Sequence, residues 1–454
     1  MTSGAGDPAG DRAGDQLPRI VHPPPGPRAR ALALELARLE APGVNTIDEA
    51  PAAEPPILWE AARGANVFDV DGNRYVDLTS GFGVAAVGHC HPRVIAAVRR
   101  QAGLLLHGLG DVHAHPLRVA LADRLVRLAP VDDPQVFFAA SGAEAVEIAL
   151  ETALAATGRP GIVAFEPSYH GLTLGALAVT SRPEFRAPFK PYLHPHTRRL
   201  PFGCPPAALA AALAAGSGGG QPGAVLVEPI VGREGVLPPP PGWLAAVAGL
   251  CRQAGALLVA DEIFTGFGRT GWLFAVEGEG VRPDLLCCGK ALGGGLPIAA
   301  VLARRPLFRV WSTRGEALRT STFLANPVAC AAAMAVLDVL EQERLPARAA
   351  RLGAGLGARL AGWPERFQAV ADVRGRGLLW GIELRSRQAA AAWVAAARRR
   401  GVLILAGGPD GKVAQLVPPL SIADAQLTGA LDLLEEALAE EALAAASSAT
   451  MKES

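Results

Sequence analysis

Short apolar runs alternate with amphipathic stretches through the middle of the chain. From about residue 115, apolar runs that suit buried strands are separated by segments of helical periodicity. The predicted strands are 136–138, 161–165, 224–228, 256–260 and 285–288, and the predicted helices are 116–128, 143–156 and 242–254. Such alternation is typical of a mostly parallel sheet covered by helices on both faces. The pattern therefore predicts an α/β fold.

The two ends of the chain follow other patterns. Toward the N-terminus, a helix over 28–40 and a hairpin over 67–77 with its turn at Asp71-Gly72 are predicted. Toward the C-terminus, an apolar helix over 327–341 precedes strands near 378–384 and 402–405. This second region predicts a smaller α+β domain.

Composition limits the classes of function. The 454 residues are half hydrophobic and carry a formal net charge of zero, so the charge favours neither nucleic acid nor an anionic membrane as partner. No apolar run approaches the ~20 residues that cross a bilayer, and residues 1–18 lack the apolar core of a secretory signal. The six cysteines form no C-x-x-C pair, which favours buried thiols in a reducing compartment. We predict a cytoplasmic protein.

Lys290 and Asp261 are the most informative residues. The chain has only four lysines against 39 arginines, and Lys290 ends the apolar run 285–289. A desolvated lysine loses its proton readily, and its free amine forms a Schiff base with a carbonyl group. Asp261 ends the apolar run 256–260, where a carboxylate requires a cationic partner such as a pyridinium nitrogen. These residues predict the anchor of a carbonyl cofactor. The alternatives are a chance lysine at a strand end and an ordinary ion pair between Asp261 and an arginine.

Further positions suit a phosphate and a planar ring. Ser141 and Glu144 match the S-x-x-E capping box, and a helix start beside Gly142 presents free N–H groups that can bind an anion, although most such boxes are only caps. Tyr169 can stack on a planar cofactor, with plain packing as the alternative. Thr322 offers a hydroxyl for phosphate.

Two motifs point to other classes of protein. Gly266–Gly271 matches G-x-G-x-x-G, but a dinucleotide fingerprint follows its strand directly, whereas Asp261–Thr265 intervene here. His89 and His91 flank Cys90, but two histidines at this spacing without a third ligand favour a turn. We predict neither a nicotinamide site nor a metal site.

Six segments occur in an order and at spacings that together resemble the class III aminotransferases, which are pyridoxal 5'-phosphate (PLP) enzymes of fold type I. The segments are Ser141–Glu147, Tyr169–Gly171, Glu228–Ile230, Asp261–Ile263 with Thr265–Gly271, Lys290–Gly295, and Thr322-Phe323 with Asn326-Pro327. The resemblance runs from about residue 25 to about residue 440.

The resemblance implies a domain plan and a homodimer with a shared active site. A large PLP-binding domain with a mostly parallel sheet of the seven-stranded type would carry the cofactor, and an N-terminal segment would pack with the small domain. The expected units are a disordered tail at 1–18, the N-terminal segment 19–75, the large domain 76–326, the small domain 327–444 and a disordered tail at 445–454. The glycine-rich stretch 216–220 is expected to be a surface loop.

The resemblance also implies roles for single residues. Lys290 would form the Schiff base and shuttle a proton, and Asp261 would pair with the ring nitrogen. Tyr169 and Ile263 would cover the two ring faces. Gly142 and Ala143 would hold the phosphate through their backbone, helped by Thr322 of the neighbouring subunit. The other cofactor-binding candidates belong to the same motifs; they are Ser141, His170 and Glu228.

Positions expected to face the substrate depart from the family pattern. Phe264 stands where many members have a glutamine that contacts the cofactor's phenolic oxygen, and Leu172 where 4-aminobutyrate and acetylornithine aminotransferases have an arginine. Gln415 stands where members that bind an α-carboxylate have an arginine, and Arg233 where a glutamate pairs with that arginine. Phe82 is a further candidate substrate residue.

These departures allow two interpretations. The loss of an arginine at Gln415 favours an amine as donor. Alternatively, the family's glutamate and arginine have been replaced together, by Arg233 and Gln415, and the positive charge has moved to the other wall of the pocket. In that case Arg233 binds the carboxylate of the keto-acid acceptor. The alternative is that Arg233 turns to solvent beside Glu234.

The segments 171–177 and 185–189 look closest to diamine (putrescine-type) and related ω-amino aminotransferases. We therefore predict transfer of a terminal amino group from an amine or ω-amino acid to a keto acid such as 2-oxoglutarate. Rival hypotheses are an aminomutase, racemase or decarboxylase on the same fold, an acetylornithine-type aminotransferase, and a non-enzymatic protein that kept the fold.

Overall fold

The computed structural model describes residues 14–44, 55–215, 220–312 and 315–450. Residues 1–13 of the first predicted tail, residues 216–219 of the predicted loop and residues 451–454 therefore lie outside the described part of the chain.

The strands of the described residues form three sheets. In chain order they are β1 (Trp59–Arg63), β2 (Asn66–Asp69), β3 (Arg74–Asp77), β4 (Pro134–Ala139), β5 (Gly161–Glu166), β6 (Thr197–Pro201), β7 (Pro222–Val227), β8 (Leu257–Asp261), β9 (Leu285–Cys288), β10 (Ala299–Arg304), β11 (Val370–Arg376), β12 (Leu379–Leu384), β13 (Val402–Leu403), β14 (Leu405–Gly407) and β15 (Val413–Leu416).

The helices cover these sheets and connect them. They are α1 (Pro27–Leu39), α2 (Ser80–Gly83), α3 (Pro92–Ala102), α4 (Pro116–Leu128), α5 (Gly142–Thr157), α6 (Leu174–Val179), α7 (Pro183–Arg186), α8 (Pro206–Ala215), α9 (Trp243–Ala254), α10 (Pro327–Gln342), α11 (Leu345–Ala361), α12 (Trp363–Arg366), α13 (Arg387–Arg399) and α14 (Asp424–Thr450). Short 3-10 helices span Ala187–Tyr192, Ala275–Glu279, Lys290–Gly293 and Arg305–Trp311.

The central sheet has seven strands in the order β4-β10-β9-β8-β7-β5-β6. β10 runs antiparallel to both of its neighbours, and the other neighbouring strands are parallel. Every residue of β7, β8 and β9 is buried, as expected for strands that are covered on both faces. The mostly parallel seven-stranded sheet that the resemblance implies is thus present.

The direction of these strands determines where a site can form. Because β10 is antiparallel to both β4 and β9, β4 points the same way as β9 and the other parallel strands. The carboxyl ends of β4, β5, β7, β8 and β9 therefore meet at one edge of the sheet. In open α/β sheets ligands bind in the crevice beyond these ends.

Two smaller four-stranded sheets contain the remaining described strands. β11, β12, β15 and β14 form an antiparallel sheet in that order. The N-terminal hairpin β2–β3 joins the C-terminal part of the chain through β3, which pairs in parallel with β13. Helix α10, expected to open the small domain, packs against α3, α4 and the 290–293 turn, so it also covers the large domain.

Residues 14–18 and 445–450 of the predicted tails lie within the described part of the chain. Gln16 donates its backbone N–H to Asn66 Oδ1 (2.9 Å), and its carbonyl accepts from Asn66 Nδ2 (2.9 Å). These bonds hold the end of the 1–18 segment against β2. At the other end, α14 continues to Thr450, so the tail predicted from residue 445 begins inside a helix.

Candidate active site

Lys290 and Asp261 emerge at the same edge of the central sheet. Asp261 is the last residue of β8, and Lys290 follows β9, the strand beside it. Lys290 has a left-handed backbone (φ 39°), which turns the chain away from the strand direction. Burial lowers the pKa of Lys290 from 10.5 to about 8, and the positive charges of Arg233 and Arg269 act in the same direction against the pull of Asp261 and Glu228. The amine is therefore partly neutral near physiological pH.

Asp261 forms a buried pair with His170. Asp261 Oδ2 lies 2.7 Å from His170 Nδ1, and Asp261 Oδ1 accepts the backbone N–H of Ile263 (3.1 Å). Both side chains of the pair are almost fully buried. His170 Nε2 has no hydrogen-bond partner among the described residues. Two hydrogen bonds thus fix the orientation of the carboxylate.

The N-terminus of α5 borders the same space. Ser141 caps the helix, because its hydroxyl accepts the N–H of Glu144 (3.2 Å). The first-turn N–H groups at Gly142 and Ala143 have no intrahelical acceptor, so they are available to an anion. Gly171 (φ 123°) makes close packing possible here, since a Cβ at that position would lie 2.6 Å from the Cβ of Ala143.

The capping box predicted for this helix is only half formed. The carboxylate of Glu144 accepts the N–H of Ala140 (2.7 Å), whereas a capping box requires a bond to the N–H of Ser141. The bond to Ala140 ties the helix start to the residue directly after β4, which serves the same purpose of fixing the turn.

Glu228 connects two segments that border the site. It follows β7, is buried, and accepts the backbone N–H of Tyr169 (3.0 Å) through Oε1 and that of Gly232 (2.9 Å) through Oε2. Burial raises the pKa of Glu228 to about 7; the charge of Asp261 adds to this shift and His170 opposes it. A single carboxylate therefore holds both the Tyr169 segment and the Gly232 segment in place.

Two hydrophobic residues that follow Asp261 line the site. Ile263 packs on the helix start, since a Cβ at Gly142 would lie 3.0 Å from Ile263 Cδ1. The ring of Phe264 lies 3.9 Å from Lys290 Nζ. Phe264 also contacts two glycines closely, because a Cβ at Gly232 would lie 2.0 Å, and one at Gly83 2.6 Å, from its ring atoms. Phe264 therefore covers the amine and is wedged in place.

Arg233 lies over aromatic rings at the same site. Its guanidinium carbon is 4.3 Å from the centroid of the Tyr169 ring and 5.2 Å from that of Phe185. Glu234, the neighbour expected in the alternative hypothesis, is buried and pairs with Arg182 at 2.8 Å. Within the described residues, no ion pair or hydrogen bond of the Arg233 guanidinium is present.

These residues enclose a cavity of about 270 Å³. It is lined by Gly142, Ala143, Tyr169, His170, Gly171, Leu172, Glu228, Arg233, Asp261, Ile263, Phe264 and Lys290. Most of the residues singled out from the sequence are therefore adjacent in space. The sequence indicated Gly171 only as part of the Tyr169–Gly171 segment, with no role of its own; the structure places it in the lining with a positive φ.

Four candidates from the sequence do not line this cavity. Ser141 only caps α5, and Gln415 bonds to the backbone behind Arg233. Thr322 is exposed, with its carbonyl oxygen near Gly110. Phe82 is 65% exposed with φ 60°, although the adjacent Gly83 contacts Phe264.

Comparisons with known proteins identify the family of this chain. The family model described as Aminotransferase class-III matches residues 49–438. The chain belongs to the class III aminotransferases. It is 44% identical over 378 residues to the acetylornithine aminotransferase of Mycobacterium tuberculosis, covering 83% of this chain and 90% of that protein. It is 40% identical over 385 residues to that of Methanothermobacter thermautotrophicus, with 85% and 94% coverage.

Solved structures place this class III aminotransferase in the same fold. The ornithine aminotransferase of Toxoplasma gondii aligns with a TM-score of 0.80 at 31% identity, over 90% of this chain and 94% of that one. The acetylornithine aminotransferase of Elizabethkingia anophelis aligns with a TM-score of 0.73 at 32% identity, over 86% and 96%. The predicted family and PLP-dependent transferase fold are confirmed, and the chain is a PLP-dependent transaminase.

The residues present at the site fit PLP. The cavity combines an amine of lowered pKa at Lys290, an oriented carboxylate at Asp261 and the start of a 16-residue helix with free N–H groups. These groups complement an aldehyde, a ring nitrogen that can become cationic, and a phosphate.

The remaining motifs have ordinary surroundings. Gly266–Gly271 forms turns rather than a helix start. His91 caps α3 through the N–H of Arg93, and His89 Nε2 lies 2.8 Å from Asp77. Among the described residues there is no group of three or more metal-ligating side chains, and no helix there is long and apolar enough to span a membrane.

Proposed function

We propose that this aminotransferase moves a terminal amino group from an amine or ω-amino acid to a keto acid, with 2-oxoglutarate as acceptor. The observation that carries the proposal is the guanidinium of Arg233, which lines the Lys290 cavity without an ion-pair partner among the described residues. A free guanidinium is the group best suited to bind a carboxylate. The positions of Leu172 and Gln415 add no second cation to the cavity, so a donor without an α-carboxylate at the reacting end fits best.

In this proposal the side chains at the sheet edge handle the amino group and the proton. PLP, when bound, supplies the aldehyde that takes the amino group and a ring that accepts an electron pair. Lys290 Nζ removes a proton from the reacting carbon of the donor and later returns one to the carbon of the acceptor. Its lowered pKa suits both tasks, because a general base works best with a pKa near the working pH.

Other residues hold the reacting groups in position. Asp261 would pair with the ring nitrogen and stabilise its cationic form, while His170 restrains the carboxylate. The N–H groups of Gly142 and Ala143 would bind the phosphate, and Tyr169 and Ile263 would cover the two faces of the ring. Glu228 maintains this arrangement through the backbone of Tyr169.

We also propose a homodimer. Thr322 is exposed and does not line the cavity of its own chain, yet its motif matches a phosphate-binding position. Thr322 of the partner subunit would then complete the phosphate site. All six cysteines are free, and five of them are buried, which supports the cytoplasm as the compartment.

A donor panel tests the proposal. Purified enzyme with PLP and 2-oxoglutarate is assayed for glutamate formation with putrescine, 4-aminobutyrate, N-acetylornithine, an arylalkylamine and α-amino acids. We expect turnover with donors that carry a terminal amine, and loss of activity when the keto acid is omitted. Turnover confined to α-amino acids, or product formation without any acceptor, would overturn the proposal and favour the rival chemistries.

N-acetylornithine is a second candidate donor for a specific reason. The curated relatives at 38–44% identity are named acetylornithine aminotransferases. That substrate also presents a terminal amine, so both candidates share the chemistry at the reacting carbon. The ratio of kcat/KM for putrescine to that for N-acetylornithine distinguishes them.

Arg233→Gln tests the acceptor part of the proposal. Removal of a guanidinium that binds a carboxylate is expected to raise KM for 2-oxoglutarate by roughly 30- to 100-fold and to leave KM for the amine nearly unchanged. Equal effects on both substrates would contradict the assignment.

A further inference from the structure

The loop that carries Arg233 is held by the small-domain sheet. We refer to residues 232–235 as the 232–235 loop. Gln415 Nε2 donates to the carbonyl oxygens of Gly232 (3.2 Å) and Arg233 (2.9 Å). The backbone N–H of Gly408 also donates to the Arg233 carbonyl (3.2 Å). The backbone on both sides of the Arg233 side chain is thus fixed by β15 and the turn after β14.

The fit between this loop and the sheet leaves no spare room. A Cβ at Gly407 would lie 2.8 Å from Gln415 Nε2 and 2.9 Å from the Arg233 carbonyl oxygen. On the opposite side, Gly232 is pressed against the ring of Phe264. The loop therefore cannot shift toward either side without breaking contacts.

The residue after Arg233 is turned to a different partner. The carboxylate of Glu234 is buried and pairs with Arg182 Nε at 2.8 Å, while Arg182 also donates to the carbonyl of Gly408 (2.8 Å). This pair engages Oε2 of the carboxylate that is adjacent in sequence to Arg233, and Oε1 has no hydrogen-bond partner among the described residues. The guanidinium of Arg233 is consequently left to the rings of Tyr169 and Phe185 and to the cavity.

We propose that Gln415 is a positioning residue, whose amide fixes the Gly232 and Arg233 carbonyls so that the Arg233 guanidinium is presented to the acceptor carboxylate. The inference rests on the proposed function of Arg233. Position 415 would thus affect carboxylate recognition even without an arginine there. It would act through the backbone of Arg233, whose side chain contacts the carboxylate. Because the backbone of Arg233 is already fixed before the acceptor binds, less conformational entropy of the arginine side chain is lost on binding.

Gln415→Met tests this inference, because methionine has a similar length but no N–H donor. In the holoenzyme we expect KM for 2-oxoglutarate and the inhibition constant of glutarate to rise about tenfold, as for the loss of two partly buried hydrogen bonds. KM for the amine donor, and kinetics with pentanal as an uncharged acceptor, should stay within about twofold. Gln415→Asn, which keeps an amide that is one methylene too short, should give the same pattern.

A double-mutant cycle separates positioning from general damage. If Gln415 acts through Arg233, Gln415→Met in an Arg233→Gln background should add almost nothing to KM for 2-oxoglutarate. Additive effects, equal losses with pentanal and 2-oxoglutarate, or no effect in either Gln415 variant would overturn the inference.

The same data distinguish the two proposals. An unchanged KM for 2-oxoglutarate in Arg233→Gln would exclude a role of Arg233 in binding the acceptor. A raised KM in Arg233→Gln together with a normal KM in both Gln415 variants removes only the positioning role. The visible absorbance of bound PLP and the Tm of each variant verify that the fold is retained.

Discussion

The two walls of the cavity are built in different ways. The sheet-side wall consists of Gly142, Ala143, Tyr169, His170, Asp261 and Ile263, and it stands where parallel strands end. The loop-side wall consists of Leu172, Arg233 and Phe264. On the sheet side, Asp261 ends β8 and forms a buried pair with His170, Glu228 holds the N–H of Tyr169, and Gly142 and Ala143 begin α5. On the loop side the groups are fixed by contacts with distant segments, so this wall can change its chemistry while the first stays the same.

This contrast matches what the two walls are proposed to do. The sheet side has the motifs of the class III family, and the loop side has the departures from them. Lys290 lies between the two walls. The charge of Asp261 on one side raises the pKa of its amine, and the ring of Phe264 covers the amine from the other side. Substitutions on the sheet side should therefore affect every substrate, whereas those on the loop side should affect some substrates and spare others.

Lys290→Ala should give the largest effect. We expect transamination to fall by about 10⁴-fold or more with every donor, because both the proton-transfer group and the covalent anchor are lost. Borohydride treatment of PLP-loaded wild-type enzyme, followed by peptide mass spectrometry, should locate the label at Lys290. The matched control is Lys190→Ala, an exposed lysine, which should behave as wild type. Label at any other lysine would show that the covalent anchor lies outside the cavity between the two walls.

Asp261→Asn should rank next. An amide cannot stabilise a cationic ring nitrogen as a carboxylate does, so we expect kcat to fall roughly 10²- to 10³-fold with all donors and acceptors alike. Cofactor content, measured by absorbance, serves as the control for binding. A loss limited to one class of substrate would place Asp261 functionally on the loop-side wall and contradict the contrast drawn here.

Leu172→Arg should change selectivity rather than rate. Leu172 is half exposed and lines the cavity, so a longer side chain can be accommodated. A second guanidinium should raise kcat/KM for N-acetylornithine or 4-aminobutyrate relative to putrescine by about tenfold. Leu172→Met controls for added length without charge. Equal changes for all donors would show that this position does not contact the donor's carboxylate.

The pKa of Lys290 offers a smaller but sharper test. Burial lowers it to about 8, so in the cofactor-free enzyme the neutral, reactive amine should become half populated near pH 8 rather than near pH 10.5. Competitive acetylation at a series of pH values, read by mass spectrometry, measures this directly with the exposed Lys190 as internal reference. In Phe264→Ala water should reach the amine, and the pKa of Lys290 should rise toward its ordinary value. A value near 10.5 in the wild type would exclude the proposed desolvation.

Much of the sheet-side wall could be predicted from sequence because its order follows from local rules. Strands β7, β8 and β9 are continuous apolar runs, and in a parallel sheet their carboxyl ends meet, which brings Glu228, Asp261 and Lys290 together. The predicted strands and helices of this region are all present, with bounds that differ by a few residues. Strands β6 and β10 were not predicted, and β10 inserts antiparallel between β4 and β9.

The loop-side wall could be predicted only in its residue types. The exchange at Arg233 and Gln415 is visible in sequence, but the bond from Gln415 to the Arg233 carbonyl joins residues 182 positions apart. The pairing of Glu234 with Arg182 and the position of Phe264 over Lys290 likewise depend on tertiary packing. No local periodicity encodes such contacts, so sequence indicated which residues to examine and not how they are oriented.

The carboxylate of Glu228 has a consequence for anyone who redesigns this enzyme. One of its oxygens accepts a hydrogen bond from the backbone of Tyr169 and the other from that of Gly232. A single side chain therefore fixes the backbone of both walls. Mutations near Gly232 that are selected to admit a new substrate should therefore also weaken the binding of PLP. Variants changed only in this loop should lose the visible absorbance of bound PLP before the protein unfolds.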